Sequence, residues 1–110
     1  MATFDDFQKL DIRVGTVRRA EPFPEARKPS IRMWIDFGRE LGERQSSAQL
    51  TVHYIPQQLV GRQVVAAVNL GERRIAGFVS EVLVLGAMPT ATEVVLLNVE
   101  RGVEDGTKIG

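Results

Sequence analysis

The stretch Tyr54-Ile55-Pro56-Gln57-Gln58-Leu59-Val60-Gly61 decides the fold class of this sequence. It predicts a short helical turn, because proline suits the first turn of a helix and glycine suits its end. The segments on both sides are predicted strands: Ser47 to Val52 is the third strand of the chain, and Val64 to Leu70 is the fourth. A chain that is otherwise mostly strand thus carries a short helix between its third and fourth strands.

Two strands are predicted before this stretch. Residues Ile31 to Phe37 alternate between apolar and other side chains, so that Trp34 is expected to point away from the apolar face. Residues Asp11 to Thr16 alternate in the same way. The segment Glu21 to Pro29 contains three prolines and predicts a loop with a basic tip. A short helix capped by Thr3 is predicted to run to Leu10.

Further strands are predicted from Arg74 to Leu85, with a bend near Gly77, and from Glu93 to Val99. About six short strands with little helix indicate a small antiparallel barrel or sandwich. The helix between the third and fourth strands favours the oligonucleotide/oligosaccharide-binding barrel, the OB-fold. The predicted fold is therefore all-β: a five-stranded OB-fold barrel with a short N-terminal helix and extra C-terminal strands. A length of 110 residues predicts one domain over residues 1–110.

Composition excludes several function classes. Lys and Arg together number 14 and Asp and Glu also 14, so any RNA role needs a local basic patch. The chain has no cysteine, which excludes a disulfide scaffold, a thiolate metal site and a cysteine nucleophile. The longest apolar stretch, Val82 to Pro89, is far shorter than the roughly 20 residues that span a membrane. The acidic N-terminus does not resemble a secretory signal, so a cytoplasmic protein without membrane insertion is expected.

No residue pattern points to catalysis. His53 is the only histidine, and no second ligand lies at metal-binding spacing from it. Ser46 and Ser47 lack the glycines of a nucleophile elbow. The segment Gly71 to Gly77 lacks the Gly-Lys-Ser/Thr element of a phosphate-binding loop. We therefore expect a binding protein that is not an enzyme and uses no metal and no cofactor.

The later strands predict a homodimer. Val82 to Leu85 and Val94 to Leu97 are continuously apolar, so both of their faces need to be covered. In a small barrel the inner face fills the core, and a flat apolar exterior is rare on a monomer. A second subunit related by two-fold symmetry is the expected cover.

Two segments are not explained by a core or a simple turn. Arg44 to Gln49 is polar where a strand would normally carry β-branched and aromatic residues, which indicates either a polar strand edge or part of a ligand site. Asn69 to Leu83 combines two arginines, two glycines and the apolar residues Ile75, Ala76 and Phe78. This mixture suits a groove that takes an apolar ligand while arginines hold polar or anionic groups at its rim.

These segments also carry a family resemblance. The matching residues are Gln45 to Gln49, Asn69-Leu70, Arg74 to Phe78, Ser80 to Gly86, Phe7 to Gly15, Ala20 to Pro29, Ile35 to Gly38 and Gly106 to Gly110. Over nearly its whole length the chain closely resembles the CsaA family of small bacterial export-related chaperones. More remotely, it resembles the tRNA-binding domain appended to methionyl- and phenylalanyl-tRNA synthetases.

The resemblance implies a homodimeric OB-fold chaperone that binds unfolded or precursor polypeptides without ATP, with the protein-export machinery as a candidate partner. It implies a peptide-binding groove near the dimer contact, formed by Asn69, Arg73, Arg74, Ile75, Ala76, Gly77, Phe78 and Ser80. Beside this groove it places the polar residues Gln45, Ser46, Ser47 and Gln49.

A tRNA-binding module is the alternative, because the wider family binds tRNA. The candidate contacts are Arg13, Arg18, Arg19, Arg27, Lys28, Arg32 and Trp34, with Trp34 either stacking on a base or lying in a dimer contact or surface packing. One departure weakens this alternative. The related tRNA-binding domains usually carry glutamine where this chain has Glu81, and a carboxylate beside phosphates lowers affinity.

Overall fold

β1 (Ile12–Pro22) is the longest strand of the structure, a computed structural model that describes residues 1–110. The other strands are β2 (Ile31–Asp36), β3 (Glu43–Ala48), β4 (Gln63–Ala67), β5 (Arg73–Ile75), β6 (Phe78–Ser80), β7 (Leu83–Val84), β8 (Gly86–Thr90) and β9 (Glu93–Leu96), and the helices are α1 (Phe4–Gln8), α2 (Gly38–Leu41) and α3 (Pro56–Leu59). Five strands form an antiparallel sheet in the order β3-β2-β1-β4-β7, with β1 at its centre.

α3 lies between the third and fourth strands, where the sequence predicts a short helix. Leu59 on this helix is fully buried in the main core cluster, so α3 packs against one part of the barrel interior. The predicted five-stranded barrel of the OB type is confirmed.

The side chains of β2 alternate between the core and the outer face of the sheet. Met33 and Ile35 are fully buried, whereas Trp34 between them is only half-buried, which confirms its predicted direction. The main core consists of Val17, Ile31, Met33, Ile35, Phe37, Leu50, Leu59, Val64, Ala66, Val68, Val82 and Val84. The sheet therefore has an apolar interior and leaves Trp34 on its outer face.

The barrel closes along a seam, defined here as the contact of β3 with residues 80–82. The amide of Glu81 donates to the carbonyl of Gln45 at 2.8 Å, and the amide of Gln45 donates to a carboxylate oxygen of Glu81 at 3.0 Å. The hydroxyl of Ser46 donates to the carbonyl of Val82 at 2.8 Å. Ser46 is 1% exposed, so this side chain satisfies a buried carbonyl that a regular ladder would have paired.

Five predicted strands were wrong in their bounds. β1 continues to Pro22 instead of ending at Thr16, and β4 and β9 end at Ala67 and Leu96, short of the predicted Leu70 and Val99. The third strand was predicted from Ser47 to Val52, whereas β3 ends at Ala48. Its polar residues form the hydrogen bonds of the seam, and the chain turns immediately after Ala48. The fifth predicted strand, Arg74 to Leu85, is split into β5, β6 and β7. Ala76 and Gly77 both have positive φ, at 48° and 82°, and a two-residue turn of this kind folds the chain back into a hairpin.

The remaining segments cover the barrel. Thr3 caps α1 as predicted, since its hydroxyl accepts from the amide of Asp6 at 3.1 Å, and α1 ends at Gln8. β8 and β9 form a hairpin tied to the barrel by Tyr54, whose hydroxyl accepts from the amide of Leu96 at 3.0 Å, and by His53, which contacts Glu93 at 2.5 Å. None of the helices, each four or five residues long, is long enough to cross a membrane.

We predict that Gly15→Ala destabilises the fold by about 1–3 kcal/mol, because an added methyl group overpacks a filled core. A Cβ at Gly15 would lie 2.7 Å from side-chain carbons of Ile35 and of Phe37. Gly102→Ala is the matched control, since the nearest atom to its Cβ is 3.9 Å away. Urea unfolding measures both variants, and equal midpoints for the two would contradict the prediction.

Candidate functional site

The outer face of β1 and β2 is where two loops meet. The loop after β1 (residues 23–30) and the β5-β6 hairpin both fold onto this face, next to the outward side chains of Arg19 and Trp34, which are opposite each other in the β1-β2 register. In OB-fold proteins, ligands bind to the face of strands 2 and 3 and to the loops that follow strands 1 and 4. The candidate site therefore lies where β2 meets these two loops.

Three aromatic rings form the centre of the site, and we call Phe23, Trp34 and Phe78 the aromatic cluster. The ring centroids of Phe23 and Phe78 are 5.5 Å apart, and those of Trp34 and Phe78 are 6.0 Å apart, both in edge-to-face geometry. Phe23 is 2% exposed, whereas Trp34 and Phe78 are half-buried. The hairpin therefore rests on the barrel through Phe78, and Trp34 and Phe78 each keep part of their surface exposed to solvent.

Two arginines lie on the aromatic cluster. The guanidinium carbon of Arg19 is 3.8 Å from the centroid of Trp34, and that of Arg32 is 5.0 Å from the centroid of Phe23. Such contacts contribute about 0.5–1 kcal/mol each at exposed sites. Arg32 also pairs with Glu21 at 2.8 Å, yet its Nε is buried and makes no hydrogen bond. The site therefore combines apolar ring surface with planar cations.

Gln45 links the aromatic cluster to the seam. The indole Nε1 of Trp34 donates to the Gln45 side-chain carbonyl at 3.1 Å, and the Gln45 amide nitrogen donates to the carbonyl of Val79 at 2.7 Å. One side chain thus fixes both the ring of Trp34 and the position of the hairpin. Gln45 belongs to the polar segment that the sequence placed beside the groove.

Other residues of that polar segment, and Ser80 opposite them, lie in the seam. The amide of Ser47 donates to the Ser80 hydroxyl at 3.2 Å, and Ser46 and Ser80 are both buried. Glu81 directs one carboxylate oxygen to the Gln45 amide. The structure therefore places these hydroxyls beneath the hairpin, where they hold the barrel closed, and Gln49 lies half-buried just beyond β3.

The hairpin presents the other predicted groove residues. Ile75 is half-buried beside Phe78 in the register, and the turn residues Ala76 and Gly77 are exposed. Arg73 and Arg74 are exposed and take part in none of the ion pairs of the structure. The hairpin thus carries free positive charge next to the aromatic cluster.

Asn69 lies elsewhere. Its side-chain oxygen accepts from the amide of Asp11 at 2.8 Å, and its side-chain nitrogen donates to the carbonyl of Lys9 at 2.8 Å. These bonds attach the end of α1 to the barrel. Since Arg19 lies near the opposite end of β1, the structure does not bring Asn69 together with the aromatic cluster.

The predicted cations fall into separate groups. Arg13 is buried beside Asp11 at 2.6 Å, and this hydrogen bond raises the pKa of the guanidinium. Arg18 pairs with Asp36 at 3.2 Å, and the pKa of Asp36 is lowered first by the amide of Gly38 and then by Arg18. Arg19, Arg32 and Trp34 belong to the site described above, with the exposed Arg27 and Lys28 in the loop that follows Phe23.

Sequence reasoning missed Phe23 and Glu21 as site residues. Phe23 lies between Pro22 and Pro24 in a segment that was predicted to be a loop. An apolar side chain between two prolines in a loop was the available signal, because such a residue needs a partner to cover it. Glu21 gave no signal, since its pairing with Arg32 exists only in the β1-β2 register.

Comparison with known proteins identifies relatives over the full chain. Residues 12–108 match the protein family described as "Putative tRNA binding domain". The crystal structure of chaperone CsaA from Bacillus anthracis strain Ames is similar with a TM-score of 0.95 and 57% identity, covering 100% of this chain and 99% of that one. The CsaA chaperone protein from Picrophilus torridus is similar with a TM-score of 0.92 and 44% identity, covering 100% of both chains.

A longer protein contains a related segment. The methionine–tRNA ligase of Methanococcoides burtonii is 38% identical over 109 residues, which is 99% of this chain. The chain spans only 16% of the length of that ligase. The match therefore concerns one segment of the ligase.

We predict that Phe78→Ala shifts the fluorescence of the protein to longer wavelength and increases its quenching by acrylamide. Trp34 is the only tryptophan, and its ring is covered on one side by Phe78, so loss of Phe78 exposes the indole to water. Val60→Ala is the control, because Val60 is 51% exposed and lies beyond α3. An unchanged spectrum in Phe78→Ala would mean that Phe78 does not cover Trp34 in solution.

Proposed function

The chain belongs to the tRNA-binding domain family, and we propose that it is a non-catalytic chaperone that binds unfolded polypeptide segments at the aromatic cluster. Two relatives named as CsaA chaperones match the chain end to end. Precursors destined for export are among the clients in this proposal, which places the protein in the cytoplasm and makes the export machinery a candidate partner.

The observation that carries the proposal is the pair of half-buried rings, Trp34 and Phe78, with guanidinium groups beside them. The rings offer apolar surface to an aromatic or aliphatic client side chain, whose burial releases water and stabilises the complex. Arg19 and Arg32 offer donors to peptide carbonyls and carboxylates. No step of this binding needs a nucleotide.

We predict that binding of a denatured, labelled polypeptide persists in about 0.5 M salt, because burial of apolar surface is screened far less than charge attraction. Phe78→Ala is expected to weaken this binding about tenfold or more, as the loss of a well-packed aromatic anchor does. Val60→Ala is the matched control and is expected to bind like the wild type. A fluorescence anisotropy titration at several salt concentrations measures all three proteins.

The second candidate function is tRNA binding, and the free cations around the aromatic cluster favour it. Arg27, Lys28, Arg73 and Arg74 are exposed without ion-pair partners, and Trp34 offers a ring on which a base can stack. The net charge of zero and the acids Glu21 and Glu25 nearby count against it. Bulk tRNA titrated in parallel separates the two functions. Tight tRNA binding with a steep salt slope, and no salt-resistant polypeptide binding, would contradict the chaperone proposal.

We also propose that the protein is a homodimer. Leu83, Val95 and Leu97 are 47%, 40% and 44% exposed, and no residue of α1 is buried although it carries Phe4 and Phe7. Ala67 pairs with both Ile12 and Leu83, so the end of α1 and Leu83 lie at the same end of β4. Large apolar side chains exposed in this number are usually covered in solution.

We predict that the double substitution Leu83→Glu and Leu97→Glu converts a dimer into a monomer, because two buried carboxylates per subunit would face an apolar partner. Sedimentation velocity is expected to give twice the 12.2 kDa chain mass for the wild type and the single mass for the variant. Val60→Glu, at an exposed apolar position beyond α3, is the control and should remain dimeric. A wild-type protein that sediments at 12.2 kDa would refute the dimer.

A further inference from the structure

β5 has a free edge. The hairpin sheet contains β5 and β6 only, and the β6 side of the hairpin faces β3 through the bond from Gln45 to Val79. No strand lies on the other side of β5. An extended chain can pair with such an edge and add one strand to the sheet.

The register identifies the groups that point outward from this edge. Ile75 and Phe78 flank a two-residue turn and form a hydrogen-bonded pair, so the next pair, Arg74 and Val79, is of the non-hydrogen-bonded type. Its amide and carbonyl groups point away from the hairpin. The carbonyl of Val79 is taken by Gln45, whereas no backbone group outside the hairpin bonds to the amide or the carbonyl of Arg74.

Side chains alternate along the edge. Ile75 shares a face with Phe78, which packs on Trp34, so this face looks toward the aromatic cluster. Arg74 lies on the opposite face, exposed and without an ion pair. A strand added here would place one row of side chains beside Ile75 and Arg73, with Phe78 one strand further away on the same face, and the other row beside Arg74.

We propose that the edge of β5 binds an extended polypeptide segment by strand addition, with apolar side chains in the row that contains the neighbour of Ile75 and acidic side chains in the row beside Arg74. This inference rests on the proposed chaperone function and specifies how the client is held. Backbone hydrogen bonds accept any sequence, while the two rows set a preference for alternating apolar and acidic residues.

Charge argues against a second copy of β5 as the occupant. Antiparallel pairing of two β5 edges about their centres would place Arg74 opposite the same residue of the other copy, and like charges directly opposite are destabilising. An acidic segment instead gains an ion pair at the same position. Charge complementarity therefore selects an acidic client segment.

The test uses a fluorescein-labelled eight-residue peptide that alternates phenylalanine and glutamate. Two N-methylated versions are compared, one methylated at every glutamate and the other at every phenylalanine. The amides of alternate residues lie on opposite edges of a strand, and only one edge pairs with β5. We expect one version to bind at least about tenfold more weakly than the other, as measured by anisotropy with the wild-type protein. Equal binding of the two would overturn the inference.

Substitutions at Arg74 provide a second test of strand addition. Arg74→Ala removes the charge and keeps the amide, whereas Arg74→Pro also removes the outward N–H without breaking a bond inside the hairpin. We expect Arg74→Pro to bind the peptide about fivefold or more weakly than Arg74→Ala. Circular dichroism and the fluorescence of Trp34 report whether the hairpin is intact. Equal affinities of two folded variants would count against strand addition.

The outcomes separate this inference from the proposed function. Denatured polypeptide that binds, together with two N-methylated peptides that bind equally, would leave the chaperone proposal standing and refute strand addition. Absence of binding to both the denatured polypeptide and the peptide would refute the proposed function itself. A peptide with lysine in place of glutamate is expected to bind more weakly, and equal affinity would overturn the role of Arg74.

Discussion

The seam between β3 and residues 80–82 is the constraint on which the rest of the structure depends. β7 has only two residues, so a regular ladder is too short to satisfy the groups exposed along β3. Side chains complete the closure, with the hydroxyl of Ser46 on the carbonyl of Val82 and a carboxylate oxygen of Glu81 on the amide of Gln45. A buried polar group left unpaired costs about 1–3 kcal/mol, which explains why this strand is polar where a strand is usually β-branched or aromatic.

The site is a consequence of this closure. Once Ser80 is held in the seam, the hairpin that precedes it lies across the outer face of β2, and Phe78 comes to rest between Phe23 and Trp34. Gln45 takes part in both places, since its backbone bonds to Glu81 while its side chain holds Trp34 and Val79. A change in the seam would therefore move the rings of the aromatic cluster, even though no seam serine touches a ligand in our proposal.

The outer face has an apolar centre and a charged rim. Glu21 neutralises part of the charge of Arg32 next to the rings, while Arg73 and Arg74 carry their charge unpaired on the hairpin. In such an arrangement burial at the centre supplies affinity, and charge at the rim supplies orientation and selectivity. That division favours a polypeptide over RNA in our proposal, because binding to RNA depends mainly on the neutralisation of phosphate charge.

The sequence by itself determined the barrel class and the outward direction of Trp34, because each follows from the spacing or composition of residues close together in the chain. The composition of the hairpin residues also predicted a groove there, which stays a prediction. It also singled out the polar segment of β3 without explaining it. The tertiary structure showed that this segment closes the barrel, where each strand begins and ends, and that Phe23 packs in the aromatic cluster. Ser46 and Ser80 are 34 positions apart, and contacts of this kind are set by the closure of the sheet, on which local periodicity carries no information.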